Sequence, residues 1–447
     1  MDQILPNGER VVSRANTTYT VIKKINEGGQ GQLYLVESDN SKYVLKVYFI
    51  EKATKRQREI LVRLLDLEPP SRCFVWPLDL VDLKKYNTFG YIMDLIEYST
   101  LKDLLYEEEG TPKLFRDIIA AYLLSDALFR LHIRGLIHAD ISWGNVWLNK
   151  DTGDVRISDC DNIIFSNEQS AIGGTLDFQA PEVILQELDS PDHRAQLSAD
   201  TDRHSLANVL FHILFHHHPL RGRKESEYRV ENEATMIEMF GKHPIFIYDP
   251  KNAENRPDET QGVVEFFWEK YPQFIKELFI TTFTEGLKNP KTGRIREIIW
   301  RKNLLKLRDS VIKCSICGIE NFIDSQPSQK QSPREYTCWN CEKVQKVPQK
   351  IILSGSGISH TINLNEDMFL YKTHIDNSYN IETKIGKIES KMKDTKKLIG
   401  IRNISSENWS YSVADKKTEE LSPGKAILAS ENIQIRFPGG ITGKFTS

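Results

Sequence analysis

The sequence contains no run of 18 or more apolar residues, so it predicts no membrane-spanning helix. The opening stretch, MDQILPNGER, lacks the basic segment followed by an apolar segment that marks a secretory signal. Neither sign of charge is in large excess, because 59 lysines and arginines face 62 aspartates and glutamates. This balance gives no reason to expect nucleic acid or a membrane as a partner. Together these absences predict a protein that stays in the cytoplasm.

Cysteine is also scarce, with six in 447 residues. Cys73 and Cys160 are isolated, while the other four fall into two close pairs. In a large chain without a secretory signal, such pairs favour metal ligands over disulfides. A chain of this length is too long for one compact core, so two or three domains are expected.

Patterning along the chain predicts an α+β fold made of several domains. Residues 18–49 alternate β-type runs with turns and predict three antiparallel strands. Residues 51–67 have a helical pattern that ends before Pro69, and two further strand-like runs follow. From about residue 113 the apolar residues recur at helical spacing, which predicts a larger helical half after a small strand-rich half.

The pattern changes twice more, first near residue 310, where the cysteine pairs begin, and then near residue 350, where short β-type runs alternate with turns. The predicted domains are an N-terminal extension at 1–16, a large domain at 17–309 with lobes at 17–95 and 96–309, a cysteine module at 310–350 and a β-sandwich at 351–447.

A glycine cluster between two probable strands is the first candidate for phosphate binding. Gly28, Gly29 and Gly31 would let the backbone approach a phosphate closely, and amides in such a loop can hold anionic oxygens. A glycine-rich hairpin turn is an equally good explanation of the cluster alone. Lys46 on the next strand favours phosphate binding, although a single strand lysine is more often solvated.

The segment HADISWGNVWLN carries the strongest local signal. Its Asp140 and Asn145 are five residues apart where a helix is expected to lead into a strand. One carboxylate can then accept a hydroxyl proton while the amide oxygen binds magnesium. Asp159 follows the next strand, and its carboxylate suits a hard ion such as Mg²⁺.

In this order, the glycine loop, Lys46, HADISWGN, SDCD, GGTLDFQAPE and TDRHSLANVL resemble a eukaryotic-type (Hanks-type) protein kinase domain over residues 17–309. The resemblance implies a bilobal kinase fold, ATP with Mg²⁺ or Mn²⁺, and a serine/threonine protein kinase activity. It also implies roles for individual residues. In the ATP site, Gly28, Gly29 and Gly31 would form the loop over ATP, Lys46 would be a catalytic residue that binds phosphate, and Met93, Asp94 and Leu95 would form the hinge facing adenine.

In the catalytic loop and after it, Asp140 would be catalytic, Asn145 catalytic and metal-binding, and Asp159 metal-binding. Ala180, Pro181 and Glu182 would end the activation segment, and Asp202 would support the catalytic loop.

Several positions depart from the family pattern. Asn26 replaces the first loop glycine, and asparagine tolerates positive φ better than most residues. Ala139 replaces an arginine that usually reads activation-loop phosphate, so switching by such a phosphate is not expected. Ser142 replaces a lysine of serine/threonine kinases, which leaves a small-molecule kinase open. Cys160 and Asp161 replace the aromatic residue and the glycine of the metal-binding turn, which makes in/out switching of that turn doubtful.

The acidic partner of Lys46 is expected to be Glu59, inside the predicted helix, with Glu51 as the alternative. Either glutamate could instead lie on the exposed face of an amphipathic helix. Because the residues that touch phosphate or metal are all present, an active enzyme is favoured over a pseudokinase scaffold that recruits partners through its C-terminal domains.

The two CxxC pairs are Cys314/Cys317 and Cys338/Cys341. Four thiolates at this spacing can close a tetrahedral Zn²⁺ site, which would be structural because no open position remains. Free or redox cysteines and an iron–sulfur site are the alternatives. The module resembles a zinc ribbon.

Four histidines at the end of a helix could also suggest a metal site: His212, His216, His217 and His218. Solvated or capping histidines are the expectation there.

Residues 351–447 resemble a divergent forkhead-associated domain, a reader of phosphothreonine, and a structural or docking β-domain is the alternative. The stretches GGQGQLYLV, WPLDLV, HADIS, TDRHSLA and YDPKNAENRP, with the zinc ribbon, resemble bacterial kinases encoded beside a von Willebrand A protein and a 2C-type phosphatase. That resemblance implies bacterial phospho-signalling with those two proteins as partners.

Overall fold

The structure is a computed structural model. It describes residues 4–107, 112–166, 168, 174–190, 195–228, 230–323, 335–366, 368–376, 378–394, 396–414 and 417–446. The chain divides into two compact units, the first being Met1–Glu109, Ile119–Glu265 and Glu277–Trp300, the second being Gly110–Ile118, Phe266–Lys276 and Arg301–Ser447. Within the described ranges, none of the helices has the length and apolar character needed to cross a membrane.

The N-terminal half of the first unit is one antiparallel sheet with the strand order β1-β2-β3-β4-β6-β5. Its strands are β1 (Arg10–Val12), β2 (Thr18–Glu27), β3 (Gly31–Ser38), β4 (Ser41–Tyr48), β5 (Asp79–Leu83) and β6 (Thr88–Asp94). Apolar side chains that alternate along β3 and β4, such as Tyr34, Leu45 and Val47, are fully buried and form its core. The three strands predicted within 18–49 are therefore confirmed.

The segment predicted as an N-terminal extension differs from the expectation. Strand β1 pairs with β2, in the register Val11 to Tyr19, and Leu5 is fully buried in the core of the sheet. Residues Arg10–Val12 of this segment therefore belong to the sheet, and Leu5 packs in its core because burial removes its apolar side chain from water.

Ten α-helices lie in the described residues: α1 (Lys55–Leu65), α2 (Leu101–Glu107), α3 (Leu114–His132), α4 (Pro181–Asp189), α5 (Ala199–Phe215), α6 (Glu233–Met236), α7 (Gly262–Lys270), α8 (Gln273–Lys288), α9 (Pro290–Gly293) and α10 (Glu297–Ser310). Helix α1 begins where the Thr54 side chain accepts the N–H of Gln57, which satisfies a donor that the first turn would leave unpaired. Helices α7 and α8 are separate, because Pro272 lies between them and has no N–H to donate to a helical hydrogen bond.

Five short strands position the loops between the helices: β7 (Ser99–Thr100), β8 (Leu136–Ile137), β9 (Val146–Leu148), β10 (Val155–Ile157) and β11 (Ile164–Phe165). Strand β9 pairs with both β7 and β10, and β8 pairs with β11. The loop from β8 to β9 and the turn after β10 are thereby fixed at both ends, and these two segments carry Asp140, Asn145 and Asp159.

The histidines near the end of α5 were expected to be solvated or to cap the helix, but two of them are buried. His212 and His218 are buried, and His218 bonds to the Asp177 carbonyl and to Asn208. Burial, the largest cause, lowers the pKa of His212 to about 3, so this ring is neutral. His216 ends the helix with a positive φ of 54°, in the capping role that was expected.

In the second unit, two short hairpins precede the C-terminal β region. They are formed by β12 (Val311–Lys313) with β13 (Glu320–Phe322) and by β14 (Glu335–Thr337) with β15 (Val344–Lys346). Each hairpin encloses one of the CxxC pairs in its turn.

The C-terminal region is all β and forms two antiparallel sheets. Its strands are β16 (Lys350–Gly355), β17 (Ile358–Asn363), β18 (Phe369–Tyr371), β19 (Lys384–Lys393), β20 (Lys396–Asn403), β21 (Trp409–Val413), β22 (Glu419–Leu421), β23 (Ala426–Leu428), β24 (Ile433–Phe437) and β25 (Ile441–Thr446). The strand orders are β17-β16-β25-β24-β21-β22 and β18-β19-β20-β23. Leu353 and Ile435 from the first sheet and Ile388 and Ile401 from the second share one buried cluster, so apolar burial between the sheets holds this region together.

Candidate active site

A cleft of about 550 Å³ lies between the N-terminal sheet and the segments that follow α3. Ten of the predicted site residues line it: Gly28, Gly29, Gly31, Lys46, Met93, Asp94, Leu95, Asp140, Asn145 and Asp159. These residues are spread over more than 130 positions of sequence, so the fold brings a dispersed set into one place. Glu59 is the predicted cofactor-binding residue that does not line it.

The turn between β2 and β3 forms one wall of the cleft. The N–H of Gly28 donates to the carbonyl oxygen of Gly31 at 2.9 Å and closes the turn. A Cβ atom at Gly31 would lie 2.1 Å from the carbonyl oxygen of Val47, so the close approach of β3 to β4 requires glycine there. At Gly28 and Gly29 a Cβ would meet nothing within 4 Å, which leaves their backbone open for a bulky anionic ligand.

Asp140 is held by hydrogen bonds to both carboxylate oxygens. Oδ1 accepts the N–H and the hydroxyl of Thr175, each at 2.9 Å, and Oδ2 accepts the side-chain amide of Asn145 at 2.9 Å. These donors fix the orientation of the carboxylate while the residue still lines the cleft. The arrangement can position an acceptor hydroxyl and take its proton.

The backbone next to Asp140 is strained and is braced by Asp202. Ala139 has a φ of +69°, which is unfavourable for a residue with a Cβ atom. Asp202 accepts the backbone N–H of His138 at 2.8 Å and that of Ala139 at 3.2 Å. The buried carboxylate thereby stabilises the conformation that presents Asp140 to the cleft.

His132 connects Asp202 to a second buried acid. Its Nε2 lies 2.9 Å from Asp202 and its Nδ1 2.7 Å from Glu297, which also pairs with Arg203 at 2.8 Å. Burial alone would lower the pKa of His132, but the two carboxylates outweigh it and raise the pKa to about 9. The ring is therefore a cation at neutral pH and acts as a donor at both nitrogens.

Lys46 is buried and its ammonium group meets two carboxylates. Nζ lies 3.1 Å from Asp159 and 2.9 Å from Asp161. Burial alone would lower the pKa of Lys46, but the charges of Asp159 and Asp161 raise it above its usual range, so the lysine is protonated.

The predicted pairing of Lys46 with Glu59 is wrong in this structure. Glu59 lies 3.7 Å from Lys55 on the outer face of α1, and its side chain is 61% exposed. The alternative, Glu51, is exposed in the turn before the helix. Both glutamates therefore stay in water, where their charges cost least.

The donor set of the cleft fits a divalent ion such as Mg²⁺. Asp159 has a left-handed backbone with φ 55° and a side chain that is 37% exposed to the cleft. The amide nitrogen of Asn145 is directed to Asp140, which leaves its Oδ1 atom as the ligand toward the metal. A carboxylate oxygen and an amide oxygen are ligands that Mg²⁺ prefers.

Another ion pair lies at the start of α4. Arg294, whose side chain is fully buried, donates two hydrogen bonds of 2.7 Å to Glu182 in the first turn of α4. The bidentate geometry fixes the start of α4 relative to the segment that follows α9.

A second candidate site is formed by the four paired cysteines of the second unit. The sulfur atoms of Cys314, Cys317, Cys338 and Cys341 all lie within 4.8 Å of one another. Asn321 donates to the Cys338 sulfur at 3.6 Å. Four converging sulfurs at the turns of two hairpins fit a closed tetrahedral Zn²⁺ site.

Sequence reasoning missed several residues of the cleft. Asp161 was noted as a departure from the family pattern but was not assigned to Lys46, and Gln57, Tyr48 and Tyr91, which bond to Asp161, were not singled out. Trp147 lines the cleft and donates to Ser158 at 3.0 Å. For Gln57 a signal was available, because it falls on the same face of α1 as the apolar residues.

The comparison with family models agrees with this geometry. The model of the protein kinase domain matches residues 19–279, which is more than half of the chain. The chain therefore belongs to the protein kinase family, which implies ATP and Mg²⁺.

Among curated proteins, the chain is similar to the rat protein kinase C delta type, at 27% identity over 220 residues that make up 47% of this chain and 31% of the relative. It is also similar to the serine/threonine-protein kinase pakH of Dictyostelium discoideum, at 27% identity over 39% of this chain and 34% of the relative. The serine/threonine-protein kinase US3 homolog of Equine herpesvirus 1 (strain Ab4p) is 25% identical over 48% of this chain and 53% of the relative. The chain thus spans about a third to a half of the length of these relatives.

Proposed function

We propose that this chain is an active serine/threonine protein kinase that transfers the γ-phosphoryl group of ATP to a protein hydroxyl. The observation that carries the proposal is the meeting of Lys46, Asp140, Asn145 and Asp159 in one cleft beneath an open glycine turn. A lysine, a base and two metal ligands in one cleft are the parts that phosphoryl transfer requires.

In the proposed complex, adenine lies against the hinge formed by Met93, Asp94 and Leu95, and the phosphates lie beneath Gly28, Gly29 and Gly31. The buried cation of Lys46 binds phosphate oxygens. Asn145 and Asp159 would hold Mg²⁺ or Mn²⁺, which when bound neutralises phosphate charge.

Asp140 positions the acceptor hydroxyl and receives its proton. The hydroxyl oxygen forms a bond to the γ-phosphorus as the bond from that phosphorus to the β–γ bridging oxygen breaks, and ADP leaves with the bridging oxygen. Thr175 and Asn145 donate hydrogen bonds that fix the orientation of the Asp140 carboxylate. This supports the proposed role, since most of the rate enhancement in phosphoryl transfer comes from positioning and preorganised charge.

The serine/threonine class is supported by the printed names of the relatives pakH and US3 homolog. A small-molecule kinase is the second candidate, and it is favoured by Ser142, which stands where serine/threonine kinases place a lysine. A screen of hydroxylated metabolites against generic protein acceptors separates these two hypotheses. A pseudokinase scaffold would instead bind nucleotide without turnover in the presence of candidate partners.

For the second unit we propose a structural Zn²⁺ held by the four cysteines and a β-domain that docks partners or reads phosphothreonine. The converging sulfurs and the two-sheet core support these roles. The motif resemblance supports bacterial phospho-signalling in the cytoplasm, with a von Willebrand A domain protein and a 2C-type phosphatase as partners.

The test is transfer of labelled γ-phosphate from ATP to the chain itself, to generic acceptors and to those two candidate partners. Label transfer is expected for the wild type in the presence of Mg²⁺ and is expected to be lost in Asp140→Ala and Asp159→Ala. Equal labelling by the wild type and both variants would refute the proposed function.

A further inference from the structure

The acid that pairs with Lys46 most closely comes from the turn that carries Asp159. Asp161 is 1% exposed, and its two carboxylate oxygens lie 3.0 and 2.9 Å from the Lys46 ammonium nitrogen. The hydroxyls of Tyr48, on β4, and Tyr91, on β6, also donate to this carboxylate. Three donors around one buried carboxylate compensate for the loss of its hydration.

In protein kinases the equivalent lysine must pair with a glutamate of the first long helix before the enzyme is active. Helix α1 offers no acid on its inner face, since its buried residues are Gln57, Ile60, Leu61 and Leu64. Glu59 follows Gln57 by two residues, which places it about 200° around the helix on the opposite face. To turn Glu59 inward, the helix would have to move its apolar side chains into water.

The inner face of α1 contributes a neutral contact instead. The Gln57 amide donates to the backbone carbonyl of Asp161 at 2.8 Å and to the Tyr48 hydroxyl at 3.2 Å. The turn itself is closed by backbone hydrogen bonds from Asn162 to Asp159 and from Ile163 to Cys160. Helix α1 therefore supports the turn but supplies no charge to the lysine.

We propose that Asp161 performs the task of the missing helix glutamate, so that one rigid turn positions both Lys46 and the metal-binding Asp159. This inference rests on the proposed kinase function. It makes Asp161 a positioning residue, because its carboxylate contacts Lys46 and is not part of the lining of the cleft. It also means that activity does not depend on a movement of α1 that brings a glutamate to the lysine.

The experiment compares wild type, Asp161→Asn and Glu59→Gln in three measurements: the phosphotransfer rate, the affinity for a fluorescent ATP analogue with Mg²⁺, and the melting temperature without nucleotide. Asp161→Asn keeps the shape of the side chain but removes its charge. We expect its kcat to fall about 100-fold, as for a reacting group misplaced by about 1 Å, with a smaller change in nucleotide affinity. Glu59→Gln is expected to match the wild type in all three measurements.

A loss of phosphotransfer in Glu59→Gln would overturn the inference, and this variant should fold because the side chain is 61% exposed. The inference would also be overturned if Asp161→Asn transferred phosphate at the same rate as the wild type. If the wild type itself bound nucleotide without any transfer, the proposed function would fail instead. The two failures are therefore distinguishable.

Discussion

The side-chain amide of Asn145 donates a hydrogen bond to the carboxylate of Asp140 over 2.9 Å. One side chain thus orients the proposed base with its nitrogen and presents its oxygen toward the metal site. This dual use explains why an amide is suited to the position, since a carboxylate could bind metal but could not donate to Asp140.

Asn145→Asp replaces that donor with a second carboxylate beside Asp140. We expect phosphotransfer to fall by about 100-fold or more, because a preorganised hydrogen bond is lost and two like charges face each other. Asn149→Asp is the matched control, since the side-chain oxygen of Asn149 accepts the N–H groups of Asp151 and Thr152, and a carboxylate oxygen can accept them as well. An active Asn145→Asp enzyme would contradict the proposed role.

Lys52 is an exposed cation that lines the same cleft, in the turn between β4 and α1. It can supply positive charge to the phosphates in a kinase whose Ser142 replaces a lysine. Lys52→Ala is therefore expected to lower kcat/KM for ATP about tenfold, which corresponds to about 1.4 kcal/mol. The effect should shrink at high salt, because exposed charges are screened.

The control for Lys52 is Lys55→Ala, since Lys55 is 92% exposed, lies close by in sequence and does not line the cleft. Steady-state kinetics with varied ATP measures both variants. If Lys52→Ala and Lys55→Ala lowered kcat/KM for ATP equally, the effect would come from general surface charge, and this result would contradict a role for Lys52 in the cleft.

The His132 cation predicts a pH dependence of stability. Its folded pKa of about 9 lies above the usual value of 6.5, so its stabilisation is complete below about pH 6.5 and is lost as the pH rises through about 9. The shift corresponds to a contribution on the order of 3 kcal/mol. Burial alone would raise the pKa of Glu297, but His132 and Arg203 lower it to about 2, so this acid stays charged over that range.

Thermal unfolding between about pH 6 and pH 10 tests this dependence, since it covers the titration of His132. His132→Asn should melt well below the wild type at the lower pH, and the two curves should converge at the higher pH. His243→Asn is the control, because the His243 side chain is 72% exposed and its removal should leave the curve unchanged. A constant gap between wild type and His132→Asn would contradict the assigned charge.

The four-cysteine site predicts one tightly bound zinc per chain. Metal analysis of Cys338→Ser should show loss of most of the zinc and a lower melting temperature, because binding to a closed thiolate site contributes folding free energy. Cys73→Ser serves as the control, since this buried thiol lies outside the cluster. Iron in place of zinc, or zinc retained in Cys338→Ser, would contradict the assignment.

Ten residues of the cleft were predicted from the sequence, because ordered motifs such as HADISWGN and SDCD resemble those of protein kinases. Asp140 and Asn145 are on one loop and Asp159 follows β10, and the resemblance of both segments to kinase motifs implied that they converge. The three strands around the glycine turn were also predictable, because their apolar residues alternate.

The partner of Lys46 could not be predicted in the same way. Asp161 lies 115 residues along the chain from Lys46, and only the folded structure brings the two together. Glu59 was selected by residue type and by its place inside a helix, whereas the burial of Gln57, Ile60 and Leu61 shows which face turns inward. The small β1 strand was missed because three residues carry too little pattern to separate a strand from a loop.

The most direct test of the account separates nucleotide binding from transfer in Asp140→Asn. The variant keeps the shape of the side chain but cannot accept a proton, so we expect near-wild-type affinity for Mg-ATP and a fall in phosphate transfer of about 100-fold to 10,000-fold. Mass spectrometry of the acceptor protein measures the transfer. Unchanged transfer by Asp140→Asn, or no transfer by the wild type, would contradict the kinase assignment.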